Sequence, residues 1–107
     1  MLPKTNRVTK KDVDLLFKQS KFITSPVFTF KYLLTNNKQT KISFIAPKSV
    51  AKMAVKRNLL RRRGYNVLGK YIGQFPSGLV GVFIFKKYEE DISTIEQEIK
   101  NIFDKVN

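Results

Sequence analysis

Between Lys48 and Arg63 lie seven cations in sixteen residues (Lys48, Lys52, Lys56, Arg57, Arg61, Arg62 and Arg63), with no acid among them. Guanidinium forks match phosphate oxygens in pairs, and ammonium groups meet them as point charges. On a helix, Arg57 and Arg61 stand four residues apart and put two guanidiniums on one side, where they repel unless a polyanion supplies the opposite charge. An RNA backbone does this, and release of its counterions adds an affinity that falls steeply with salt. The competing reading is a solvated basic face, or an amphipathic helix of the kind that peptide-binding partners recognise. The absence of neighbouring acids favours phosphate.

Little else in the chain suits bond-making chemistry. There is no cysteine and no histidine, which removes disulfides, thiol nucleophiles, cysteine-ligated zinc, the commonest general base and the usual triads. Asp12 and Asp14, two apart on a helix, point about 200° away from each other and cannot pinch one metal. Glu89, Glu90 and Asp91 precede the last predicted helix and serve its positive end. Catalytic residues and protein-held metals are therefore not expected. A second binding feature is the polar side of a predicted strand, Thr29 and Lys31, beside Val13 and Phe17 of the first predicted helix. An aromatic ring next to a cation can stack on unpaired bases while the cation meets phosphate. Helical spacing alone favours the plainer alternative that Phe17 is core.

The elements that must position these groups follow from hydrophobic period and breakers. Residues 1–8 read as a basic arm. Thr9 is a candidate cap, with Asp12 near the positive end, for a short helix from about residue 10 to 20. Phe22-Ile23-Thr24, ahead of Pro26, suits an edge strand. Phe28, Phe30 and Tyr32 alternate with Thr29 and Lys31, the period of a half-buried strand. Turn residues 35–38 lead to 41–46, read as an antiparallel return strand and hence a hairpin. From about Ala51 the pattern is helical: Met53, Leu60 and Val67 recur every seven residues, Asn58, Arg61, Arg62 and Tyr65 fall on another side, and Gly64 and Gly69 weaken the helix. Leu79 to Phe85 is an apolar run fit for a buried central strand. Ser93 with Glu96 makes a capping box for a last helix whose stripe is Ile95, Ile99, Ile102, Phe103 and Val106. A basic helix between strands implies a crossover packed on one sheet.

With 107 residues, 42% hydrophobic and 27% charged, the chain has room for one folded domain over residues 1–107. The net charge is +13, and such self-repulsion points to a polyanionic partner. Through Lys87 there are 19 basic residues against two acids, whereas the last 20 residues hold two against six. The cationic surface is thus built by the first four-fifths of the chain. No apolar run reaches the roughly 18 residues of a membrane span, and the start lacks a secretory signal, so a soluble, cytoplasmic protein is expected. A cationic membrane-surface binder is the weakest reading, because Asn58 and the arginines leave a poor apolar face.

The run Ala54-Val55-Lys56-Arg57-Asn58-Leu59-Leu60-Arg61-Arg62 resembles the signature of the bacterial ribonuclease P protein component: Ala-Val, any residue, Arg-Asn, two residues, then two basic ones. Pro3 to Val8 is similar to that family's basic Asn-Arg-hydrophobic start, Asp12 to Lys18 to its first helix, and Lys48 to the first of a Lys-Lys pair. The chain departs from the pattern at Leu59 and Tyr65, where arginine is usual, at Ser49, the second lysine of the pair, and at Val13, usually aromatic. The resemblance implies an α/β (α+β) two-layer sandwich like the second domain of ribosomal protein S5, in the order α-β-β-β-α-β-α with a left-handed crossover. It implies a ribonuclease P protein subunit whose partners are the catalytic RNA and precursor tRNA, supporting endonucleolytic 5′-end maturation of tRNA. Magnesium ions would be bound mainly by the RNA, which performs the hydrolysis. Arg7, Lys48, Lys52, Lys56, Arg57, Asn58, Arg61 and Arg62 would meet RNA, and Val13, Phe17, Thr29 and Lys31 would line a cleft for the 5′ leader. A ribosomal-type structural RNA binder or assembly factor is the alternative that the same charge and fold would serve.

Overall fold

In a computed structural model, the described residues are 14, 16–18, 20–35 and 39–106. The basic arm, the cap at Thr9, Arg7, Val13 and turn residues 36–38 lie outside them. After helical residues at 14 and 16–18 come strands β1 (Lys21–Thr24), β2 (Phe28–Leu34) and β3 (Lys41–Ile45). Helix α1 (Ala54–Leu68), a 3-10 turn (Ile72–Gln74), strand β4 (Leu79–Phe85) and helix α2 (Ile92–Val106) follow.

The four strands form one sheet in the order β1-β2-β4-β3. β4 runs antiparallel to β2 and parallel to β3. The expected hairpin between β2 and β3 is therefore absent: β4 lies between them. The reason is hydrophobic. Leu79, Val80, Val82, Phe83 and Phe85 are all buried, and a strand apolar on both faces is stable only at the centre, whereas β3 buries alternate residues and tolerates an edge. Side-chain hydrogen bonds from Thr35 to Gly78 O (2.7 Å) and from Thr40 to Pro76 O (3.0 Å) tie the flanks of the turn after β2 to the approach of β4. Gly78 has φ 83° there, a conformation that other residues adopt at a cost.

One sheet face is aromatic. The rings of Phe30 and Phe83 stack at 4.3 Å between centroids, Phe28 and Phe85 lie at 4.7 Å, and Phe44 and Phe83 at 5.0 Å. Leu60, Val67 and Leu68 of α1 and Ile95, Ile99 and Ile102 of α2 close this core. On the opposite face Leu16 is buried with Val80 and Val82, and Leu33, Ile45 and Ile84 pack against them. Leu16 alone of the first helix's described apolar residues enters the core. Phe17, which spacing assigns there, is 56% exposed.

Local departures have local causes. Residues 47–51 form a turn, with Val50 N and Ala51 N donating to Pro47 O, so α1 starts at Ala54 rather than near Ala51. Met53 is then at the helix edge and exposed. The helix runs through Gly64 unbroken, because α1 and β3 approach so closely there that a Cβ would lie 2.6 Å from the Phe44 ring. Tyr65 turns inward rather than siding with Arg61 and Arg62: it is buried, packs edge-on to Phe44 at 5.1 Å, and its hydroxyl accepts from Phe44 N at 3.2 Å. This hydroxyl gives an edge-strand N–H a partner. The expected capping box is replaced by Asp91, which accepts from Ser93 N (3.1 Å) and Thr94 Oγ1 (2.9 Å). Glu96 is drawn instead to Tyr71 and Lys70.

Candidate nucleic-acid interface

The basic run divides into groups that face solvent and groups that hold the fold. Lys48, Lys52, Lys56, Asn58 and Arg62 are exposed, and Arg57 and Arg61 are half-buried. Arg57 Nη1 donates to the carbonyls of Ala51 (3.0 Å) and Lys52 (2.8 Å), clasping the turn that precedes α1. Arg61 donates to Asn58 Oδ1, which fixes the amide of one and the guanidinium of the other on the outer side of the helix. Lys56 Nζ sits 5.6 Å from the centroid of the Tyr88 ring, in the segment between β4 and α2. Val55, Asn58, Leu59 and Arg62 line a shallow depression of about 200 Å³. Among the described residues, none of Lys48, Lys52, Lys56, Arg57, Arg61 and Arg62 has an ion-pair partner. The charge expected of a phosphate-binding face is thus left uncompensated.

The second feature lies across the sheet. Lys31 Nζ stands 4.5 Å from the centroid of the Phe17 ring, a cation over an aromatic face. Thr29 is on the same side of β2, two residues away. The structure sets Lys31 against Phe17 and puts Thr29 on the same sheet face, whose floor includes Val80 and Val82. Phe22 was not singled out by the sequence. It pairs with Lys31 across β1 and β2 and is 68% exposed. The alternation Phe22-Ile23-Thr24 announces a strand but not its register, and only register places this ring beside that cation.

Among the described residues titration is perturbed at Tyr71, outside both features. Partial desolvation, together with the hydrogen bond it donates to Glu96 (3.1 Å), raises the Tyr71 hydroxyl above the ordinary tyrosine range. Among the described residues no three acidic side chains gather closely enough to hold a metal ion. What this surface can do is bind a polyanion and stack on exposed rings.

A mixed α/β protein with a cationic helix packed on one face of its sheet and a patch of exposed rings and a cation on the other is the class that fold and surface define. The chain belongs to the ribonuclease P protein family, whose model, described as Ribonuclease P, matches residues 2–107. No curated protein matches it by sequence. Among solved structures it is similar to the RNase P protein from Thermotoga maritima, with 19% identity and a TM-score of 0.83 over 94% of this chain and 97% of that one. It is also similar to the Staphylococcus aureus RNase P protein, with 13% identity and a TM-score of 0.82 over 97% and 100% of the two chains. A mutant of the latter with defective mRNA degradation activity matches at a TM-score of 0.83, 13% identity, 94% of this chain and 87% of that one. The family makes this chain a protein subunit of the ribonuclease P ribonucleoprotein, an enzyme of tRNA processing with an RNA partner. Among the described residues no helix is long and apolar enough to cross a membrane.

Proposed function

We propose that this chain binds the catalytic RNA of ribonuclease P through the outer side of α1 and the turn before it, and the 5′ leader of precursor tRNA along the sheet face that carries Lys31. The observation that carries the reading is the uncompensated cationic surface built by Lys48, Lys52, Lys56, Arg61 and Arg62 around Asn58. Arg62 offers a guanidinium fork to phosphates, and Asn58, steadied by Arg61, presents its amide N–H groups to a ribose or base. Arg57 contributes chiefly by fixing the turn that carries Lys48 and Lys52. On the other face Lys31 meets the leader backbone and Phe17 offers a ring to an unpaired base. The RNA performs phosphodiester hydrolysis with its own magnesium ions, and the described side chains supply positive charge and shape.

Reconstitution tests this. Added to a bacterial ribonuclease P RNA at low magnesium, the chain is expected to raise cleavage of precursor tRNA at the 5′ end. No gain over the RNA alone would reject the assignment. Recovery of ribosomal RNA without ribonuclease P RNA from the purified complex would favour a ribosomal-type binder.

A further inference from the structure

Phe22 is an exposed phenylalanine on an edge strand. Of the four residues of β1, only Ile23 packs against the aromatic core. Scattered exposed apolar residues are ordinary, so exposure alone argues nothing. Its neighbours do. Phe22 is the antiparallel partner of Lys31, and directly opposed residues project from the same face with Cβ atoms about 5 Å apart. The Lys31 ammonium already lies against the Phe17 ring, 4.5 Å from its centroid. Two exposed rings, one from the first helix and one from the edge strand, therefore border a single cation.

We infer that Phe22 is a base-stacking residue, forming with Phe17 and Lys31 a platform for unpaired nucleobases of single-stranded RNA. The platform extends the proposed leader face across β2 to the edge of the sheet. This deepens the leader reading above and rests on it. A phenyl face stacks on any base, so Phe22 adds affinity with little sequence preference, while Lys31 holds the phosphate between successive bases. The occupant is single-stranded RNA because the rings are separated by a cation, in a chain whose net charge is +13. An apolar protein partner would have to bury that ammonium unpaired.

The test uses holoenzyme reconstituted with a bacterial ribonuclease P RNA and measures binding of mature tRNA, precursor tRNA with a short oligouridine leader, and the same precursor with an abasic leader. The wild-type chain is expected to bind the uridine-leader precursor more tightly than mature tRNA. Phe22→Ala should reduce that gain about tenfold, the order expected for one stacked base. Phe22→Trp should keep it. The abasic leader should bring the wild type and Phe22→Ala to one common level, costing the wild type about tenfold more than the variant, which loses only the stack on Phe17. Unchanged circular dichroism and thermal midpoint would show that Phe22→Ala folds. Retention of the full gain by Phe22→Ala, or an equal loss with the abasic leader, would overturn the inference and leave the leader reading standing. Loss of self-association by Phe22→Ala with leader binding intact would likewise overturn it. A wild-type holoenzyme that gains nothing from a leader would instead sink the leader reading itself.

Discussion

Arg57 and Arg62 share a helix and a charge but not a task. Arg57 spends Nη1 on two backbone carbonyls, one belonging to buried Ala51, whereas Arg62 is exposed and free of ion pairs among the described residues. Arg62→Ala is expected to weaken RNA binding and to lower the slope of log affinity against log salt by about one, with thermal stability unchanged. Arg57→Ala should lower the thermal midpoint as well, because two carbonyls lose a charged donor at about 1–3 kcal/mol each when buried and less where water replaces it. Salt-titrated binding beside thermal denaturation of both variants checks the division. Gly64 offers a second test at this scale. Alanine there would gain about 1 kcal/mol of helix propensity, but its Cβ would lie 2.6 Å from the Phe44 ring, and overpacking costs about 1–3 kcal/mol. Gly64→Ala is expected to lower the denaturation midpoint, where propensity alone predicts a rise.

Helices α1 and α2 meet along a seam whose polar end is Tyr71, Lys70 and Glu96. Glu96 Oε1 receives the Tyr71 hydroxyl and lies 3.4 Å from Lys70 Nζ. Because the folded state holds the Tyr71 proton more tightly than the unfolded chain does, its contribution to stability is complete below the ordinary tyrosine value of about 10 and is lost as pH rises through the higher folded value. The stability difference between the wild type and Tyr71→Phe is therefore expected to hold at neutral pH and to shrink above about pH 10. Denaturant titrations at both ends of that range measure it. The two helix starts also differ in kind. α2 carries its own cap in Asp91, whereas α1 begins with no side-chain cap and an arginine clasp on the turn before it. An acid at the start of α1 would favour the helix and oppose a phosphate on the same surface.

Across the whole molecule, charge acts on folding and on binding with opposite signs. Nineteen basic residues against two acids through Lys87 repel one another in the free chain and attract a polyanion in the complex. Raising salt from about 0.05 to 0.5 M, which shortens the Debye length well below 10 Å, is expected to raise the thermal midpoint of the free chain while lowering RNA affinity by orders of magnitude. Parallel melting and binding series would show whether the two responses diverge. A fall in both would remove self-repulsion from the account of stability.

The sequence by itself determined the order of the elements from β1 onward, the apolar stripes of β2, β4 and α2, the cationic run and the family. All of these are local periods, charges or short spacings that survive without knowledge of who lies next to whom. The tertiary structure decided neighbours. It placed β4 between β2 and β3, moved Tyr65 from the arginine side into the core against Phe44, gave Arg57 to the backbone, exposed Phe17 while burying Leu16, and set Phe22 opposite Lys31. Those outcomes depend on competition for two-sided burial and on strand register between segments distant along the chain, for which periodicity carries no term: a strand's alternation states which residues share a face, and only the packed partners state which face is covered.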